Sequence, residues 1–342
     1  ARYDFFRTTD DAGDNARSRG YIDYLLQNVQ GAAMDFSPIR NTERGVSFLV
    51  IASYAHSEWL NASYKFSTGF RVPNTEEKFF QYYSTWPSFV VLANRNLKPE
   101  KSYNHELELT GRGCGLGYML SLYYNRYTDF IELKQGVLTV NEPLMQHPKR
   151  LAYVKNVNRE SAHLKGFDAA VQVYPGEWID GLRGLMVSSA FSYADGKSSS
   201  GMSMLGIQPL TGNVGLEYTG KNARWQVNAK MNLYFAKPVA QTTFWDRDAS
   251  GRDLIRRYPA SLMENAYIFD LFGYYKFGRH ITLRAGVYNL FNTRYHRWDD
   301  LRQLTNPALL SNINLFFQDG RKSLSRFTRP KRYASVALEI KI

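Results

Sequence analysis

Residues 224–235, RWQVNAKMNLYF, place an apolar side chain at every second position: Trp225, Val227, Ala229, Met231, Leu233 and Phe235. Arg224, Gln226, Asn228, Lys230, Asn232 and Tyr234 fill the positions between. Successive side chains of a strand point to opposite faces, so this segment has one apolar face and one wet, partly cationic face. The pattern recurs in Leu60, Ala62, Tyr64, Phe66; in Phe167, Ala169, Val171, Val173; in Ile281, Leu283, Ala285, Val287; and in Ala334, Val336, Leu338, Ile340, Ile342.

Extending this reading places about twelve strands near residues 1–7, 45–54, 59–69, 101–111, 116–127, 165–174, 184–194, 210–219, 223–235, 265–277, 280–291 and 331–342, with ends good to about two to four residues. Their length of about ten residues suits a tilted strand crossing a bilayer, whereas globular strands run to about five or six. The connectors sort by length. Short ones at 55–58, 112–115, 175–184, 220–222 and 277–280 alternate with long ones at about 8–44, 70–100, 128–164, 195–209, 236–264 and 292–330. Short turns at one end and long loops at the other are the signature of an outer-membrane barrel. The expected fold is therefore an all-β, transmembrane antiparallel β-barrel, with the apolar column against lipid and the polar column against a hydrated or plugged lumen. A closed sheet satisfies within itself every backbone group that hydrocarbon cannot. Trp225, Phe235, Tyr193, Tyr218 and Tyr275 fall near strand ends, where aromatic girdles meet head groups.

Composition narrows the alternatives. The net charge of +12 fits nucleic acid, an anionic membrane or an acidic protein. No zinc spacing, P-loop or continuous basic helix supports a nucleic-acid partner. A single cysteine, Cys114, excludes an intrachain disulfide. No pair of histidines has H-x-x-x-H spacing, so no protein-built metal site is expected. G-x-S-x-G is absent, and Ser161 and His163 lie too close along one strand to serve as nucleophile and base, so no catalytic residues and no enzyme are expected.

Several stretches carry a family resemblance. FRVP at 70–73 and NRNL at 94–97 resemble the FRAP and NPNL segments of TonB-dependent outer-membrane receptors for haem and haem proteins. YVKNVNRESAHLKGFDAAV (153–171) looks like the family's N-x-x-x-A-x-x-x-G-x-[DE] approach to a barrel strand. LRAGVYNLFNTRYHRWDDLRQ (283–303) is similar to its penultimate-strand signature G-V-x-N-L-F-N-x-x-Y, with a W-[DE]-x-x-R extension resembling the haemoglobin, transferrin and lactoferrin receptor branch. The resemblance implies a Gram-negative outer-membrane location and a 22-stranded barrel around an N-terminal plug, energised through TonB. Residues 1–342 are expected to be the C-terminal portion of such a barrel, without the plug, the remaining strands or the TonB-engaging region; a complete barrel of about twelve strands is the alternative.

The resemblance also directs attention to particular side chains. Phe70, Arg71, Pro73, Asn94, Asn96 and Leu97 form the motif pair, in which Pro73 ends a ladder and the asparagines shape a turn. Between the motifs lie Tyr82, Tyr83 and Trp86. Haem iron accepts His or Tyr, and no histidine separates the two motifs; Trp86-Pro87 stands where a His-Pro pair is expected. Tyr82, Tyr83 and Trp86 are therefore candidates for haem or ligand contact. His147, in a long loop, and His163, read as facing the lumen, complete the set; His56, His105 and His280 read as structural. The implied function is uptake of haem from haemoglobin or a haemoglobin complex, with haem as transported ligand and no intrinsic cofactor. The alternative is extraction of iron from transferrin or lactoferrin. Expected partners are a host iron- or haem-carrier protein, the TonB complex and outer-membrane lipid. The basic 292–330 loop suits an anionic leaflet or an acidic protein surface.

Overall fold

The structure is a computed structural model that describes residues 2–9, 40–85, 88–140, 149–247, 253–257, 264–304 and 328–341. Its strands are β1 (Arg2–Thr9), β2 (Arg40–Ser47), β3 (Leu49–Ser57), β4 (Leu60–Arg71), β5 (Tyr82–Thr85), β6 (Ser88–Leu92), β7 (Glu100–Gly113), β8 (Leu116–Val140) and β9 (Lys149–Val173). There follow β10 (Leu185–Ser198), β11 (Thr211–Thr219), β12 (Trp225–Tyr234), β13 (Thr243–Arg247), β14 (Asp253–Arg257), β15 (Ala266–Phe277), β16 (Ile281–Tyr288) and β17 (Tyr333–Ile340). Two short helices, α1 (Thr75–Phe79) and α2 (Trp298–Leu304), sit in connectors.

A 13-stranded sheet dominates, running β3-β4-β7-β8-β9-β10-β11-β12-β15-β16-β17 with every neighbour antiparallel, while β5 and β6 attach off this path. Each spanning strand overlaps one expected from the alternation. The sheet is an open arc: β3 and β17, its outer strands, are not paired with each other among the described residues.

The register turns the sequence alternation into two chemically distinct faces. Tyr64, Leu107, Leu122, Phe167 and Tyr193 are successive partners across five strands. Even in mid-sheet, large apolar residues stay open: Leu122 is 44% exposed, Leu216 49% and Val227 44%. A continuous apolar face of this extent marks contact with hydrocarbon or another protein rather than water. On the opposite face Lys65 Nζ donates to Glu106 Oε1 at 3.3 Å and Glu108 Oε2 at 2.8 Å, Ser121 Oγ donates to Glu106 at 2.9 Å, and Asn232 Nδ2 donates to Asp270 Oδ2 at 2.8 Å. Side chains there satisfy one another as a hydrated wall requires.

The short ends close tightly. Cys114 and Gly115, between paired Gly113 and Leu116, both have positive φ (43° and 74°), the requirement of a two-residue primed hairpin turn. At the opposite end two expectations change. Residues 128–164 read as a long loop, but β8 and β9 continue through most of it, each 25 residues long, which is far beyond the roughly ten needed to span a bilayer. The β5–β6 hairpin docks there, with β6 parallel to β9 (Val90 opposite Tyr153). Ile131, Leu151, Val154 and Val90 are buried. Protein, not lipid, covers this extension, so it lacks the one-sided alternation that announces a spanning strand. In the connector after β12, β13 and β14 form a separate hairpin; the remaining pair, β1 and β2, is a hairpin beside β4.

Candidate functional site

The FRVP segment ends β4 and is held from three sides. The Phe70 ring lies edge-on to Phe6 at 5.9 Å and against Gly45, where an added Cβ would strike it. Arg71 Nη1 donates to Glu77 Oε1 and Oε2 at 3.0 and 2.9 Å, and Nη2 donates to Glu100 Oε2 at 3.4 Å. Glu77 also closes a capping box on α1: its backbone N–H donates to Asn74 Oδ1 at 2.7 Å, while its carboxylate accepts from Asn74 N at 2.9 Å. Pro73 is buried. Within α1, the fully buried Lys78 donates to Glu43 Oε1 at 2.7 Å, tying the connector to β2. Arg71 is thus a brace joining the end of β4, α1 and the start of β7.

NRNL is a second brace. Asn94 Nδ2 donates to Asn156 O at 2.8 Å, Asn94 Oδ1 accepts from Asn96 N at 3.3 Å, and Leu97 is 3% exposed. Next to it Lys98 N donates to Asn158 Oδ1 at 2.8 Å, while Asn158 Nδ2 reaches Lys98 O and Asp129 O at 3.0 and 2.7 Å. The asparagines of YVKNVN thus receive the return strand, so two of the quoted motifs interlock.

The ligand candidates are dispersed. Tyr82 is exposed and stacks on Phe80 at 6.3 Å. Tyr83 pairs through its backbone with Val90 in the β5–β6 hairpin. Trp86 and His147 lie outside the described residues. His163 corrects the reading that placed it in the lumen: it is in register with Arg126 and Lys197, on the β9 face that carries Phe167, because an even number of residues separates the two. His105 also stands on the apolar face, its Nδ1 2.7 Å from Tyr64 Oη.

The penultimate-strand signature builds a different kind of place. Asn289 has φ 50° and is 3% exposed. It receives Thr293 N at 2.8 Å on Oδ1 and donates from Nδ2 to Thr293 O at 2.8 Å and Pro330 O at 3.2 Å, while its own N–H goes to Asp270 Oδ1 at 2.8 Å. Asn292, with φ 54°, accepts from Arg332 N at 3.1 Å. The two asparagines clamp both arms of the β16–β17 connector. Beyond them, Asp300 Oδ2 accepts from Arg297 N and Arg329 Nε, both at 2.9 Å. Trp298 Nε1 donates to Leu205 O at 2.7 Å, and its ring packs with Phe244 and Leu301.

Under this arch is a cavity of about 220 Å³ lined by the ends of β12 and β15 and by residues 294–298. Tyr234 and Tyr295 stack at 5.6 Å, and Arg297 Cζ lies 5.3 Å from the Tyr234 ring centroid. Lys237, 3% exposed, donates from Nζ to Ile207 O at 2.6 Å and stands 5.3 Å from the Trp298 ring centroid. Burial lowers the Lys237 ammonium from its usual 10.5 to about 8, with Asp195 opposing. Burial raises the Tyr295 phenol above its usual 10, so it stays neutral. Lys237, Arg297 and Tyr295 are functional candidates that sequence reasoning missed; the HRWDD run was their one visible signal.

Comparison with known proteins agrees with this architecture. Residues 1–290 match the family described as TonB dependent receptor-like, beta-barrel. The chain belongs to that family. The apolar sheet face of this receptor barrel is accordingly its lipid surface in a Gram-negative outer membrane. It is 29% identical over 324 residues to "Hemoglobin-haptoglobin utilization protein B" of Neisseria meningitidis serogroup A, covering 87% of this chain and 37% of that protein. To "Hemoglobin and hemoglobin-haptoglobin-binding protein A" of Haemophilus influenzae it is 31% identical over 280 residues, covering 80% and 25%. "Transferrin-binding protein A" of Neisseria meningitidis serogroup B is 28% identical over 323 residues, with 90% and 33% covered. The receptor barrel thus spans roughly a quarter to two-fifths of these relatives' lengths. Among solved structures, "Copper transporter OprC" superposes with a TM-score of 0.61 at 18% identity, over 89% of this chain and 40% of that one; this likeness concerns the fold.

Proposed function

We propose that the receptor to which this barrel belongs captures haemoglobin, or a haemoglobin complex, at the long-connector end and passes haem through the lumen, driven by the TonB complex. In this reading the described strands form the C-terminal part of a 22-stranded barrel, and the plug and the TonB-engaging segment belong to the rest of the receptor. The observation that carries it is the built-up face above the membrane: β8 and β9 extended to 25 residues, with a docked β5–β6 hairpin that presents Tyr82. Aromatic docking surfaces of this kind favour protein partners, and relatives named for haemoglobin and haemoglobin–haptoglobin binding support the choice.

The second reading, iron extraction from transferrin or lactoferrin, is favoured by the absence of histidine between FRVP and NRNL and by the transferrin-binding relative. An enzymatic role has less support. Ser161 and His163 share one face of β9 with Arg126 and Lys197 opposite His163, where no carboxylate among these partners orients the imidazole as a base requires. Titrating the receptor in outer-membrane vesicles with haemin, haemoglobin and iron-loaded transferrin separates the readings. Saturable haemoglobin binding with transfer of the Soret signal is expected; tight transferrin binding with neither haem ligand bound reverses the ranking.

A further inference from the structure

The cavity beneath the β16–β17 connector contains cations that the fold does not neutralise. Three cationic side chains line it, Lys237, Arg294 and Arg297, against one acid, Glu264. Fold-building cations elsewhere are matched: Arg71 meets two carboxylates, Lys78 meets Glu43, and Arg329 meets Asp300. By contrast, neither Lys237 nor Arg297 is in ion-pair contact with a carboxylate among the described residues. Arg297 Nε is buried and has no hydrogen-bond partner, a condition that costs on the order of 1–3 kcal/mol unless something arrives to accept from it. Lys237 donates one N–H to Ile207 O and has two more available. These are two independent signs of a missing acceptor.

Shape restricts what that acceptor belongs to. About 220 Å³ falls below the roughly 300–1,000 Å³ of sites that enclose a small molecule or cofactor, so a whole macrocycle does not enter. One side chain does. Tyr234, Phe235, Trp298 and Leu301 supply apolar wall for a short aliphatic stem, which an aspartate or glutamate has and a free inorganic anion lacks. Arg297 Cζ lies over the Tyr234 ring, 5.3 Å from its centroid, a cation–π contact that requires no N–H acceptor, and the guanidinium fork is suited to bidentate carboxylate recognition. We propose that this cavity is a socket for one acidic side chain inserted by the docked protein ligand, with Arg297 and Lys237 donating to its carboxylate. The occupant's identity rests on the reading above that the ligand is a protein; the carboxylate chemistry of the socket does not.

The test separates the two. The receptor is titrated with N-acetylglutamate methylamide and with its neutral isostere, N-acetylglutamine methylamide, reading indole fluorescence as the difference between the parent and Trp298→Phe. Saturable binding of the acid, at least tenfold stronger than the amide and weakened at least tenfold by Arg297→Met, is expected. Equal binding of acid and amide, or indifference to Arg297→Met, overturns the socket. Lys237→Met is a second variant, used only if its thermal transition matches the parent. In parallel, Arg297→Met is expected to weaken haemoglobin binding at least tenfold while leaving haemin binding unchanged, with Arg297→Lys recovering part of the loss. Unaltered haemoglobin binding by Arg297→Met overturns the inserted side chain. A parent receptor that selects the acidic peptide but binds no haemoglobin supports the socket and refutes the haemoglobin reading.

Discussion

The FRVP–NRNL frame and the arch after β16 are both signature-bearing connectors at the same end of the barrel, yet they treat their polar groups in opposite ways. In the frame the principal motif side chains are consumed by structure: Arg71 by Glu77 and Glu100, Asn94 by Asn156 and its own turn, Leu97 by burial. In the arch Asn289 is consumed as completely, but Arg297 in that connector and Lys237 after β12 line a cavity where neither is ion-paired to a carboxylate among the described residues. A recurrent motif is therefore no guide to contact with ligand. What separates a brace from a binding place is whether the buried donors of the region already have acceptors.

Four changes probe that contrast, beginning with the largest expected effect. Leu97→Ala should destabilise the β4–β7 frame by about 3 kcal/mol, since it removes most of a fully buried side chain, measurable as an earlier heat-induced loss of the folded barrel. Asn289→Ala should cost about 2 kcal/mol: it removes three side-chain hydrogen bonds and puts alanine at a positive φ. This change should also weaken binding of the acidic peptide by loosening both arms of the arch. Arg71→Met should cost about 1 kcal/mol, because its partners are carboxylates at a partly exposed site. Arg297→Met should leave thermal stability unchanged or raise it by up to about 1 kcal/mol, since it removes a buried donor that has no acceptor, while abolishing selection for the acid. An Arg297→Met variant that unfolds as readily as Leu97→Ala would erase the distinction between the two regions.

The same contrast has a pH consequence. Lys237, lowered to about 8 by burial, is mostly charged at pH 7 and loses its charge as pH rises through about 8. Affinity for the acidic peptide should therefore fall across that interval to a residual level set by the guanidinium groups of Arg294 and Arg297, with Glu264 and Asp195 the acids of these surroundings. For stability the direction is opposite. A lysine whose folded pKa lies below its unfolded 10.5 binds more protons when unfolded between about 8 and 10.5, so its contribution to stability rises with pH in that window. Peptide titrations and thermal melts at pH 7, 8 and 9 check both signs.

The spanning strands could be read from the chain because lipid faces one side of each of them; β4, β12, β15 and β16 all lie where alternation puts them. The extensions of β8 and β9 and the short strands β5, β6, β13 and β14 could not, because protein packing has no single apolar side and leaves no period of two. His163 shows the limit of motif-based placement: counting in twos from Phe167 puts it on the apolar column, whereas the motif frame suggested the lumen. Tyr82 and the motif pair could be located by resemblance, but their roles as exposed aromatic and as braces needed partners to be seen.

By itself, the sequence determined an all-β chain with one face for hydrocarbon and one for water, because period-two patterning is a local property that survives without knowledge of any partner strand. Only the tertiary structure decided where unspent charge collects. Tyr234, Lys237 and Arg297 are separated by as many as 63 positions in the chain, and they meet only because the β12–β15 register and the Asn289 clamp carry the connector back over the end of β12. Whether a buried cation is already satisfied depends on that meeting, and no reading along the chain can supply it.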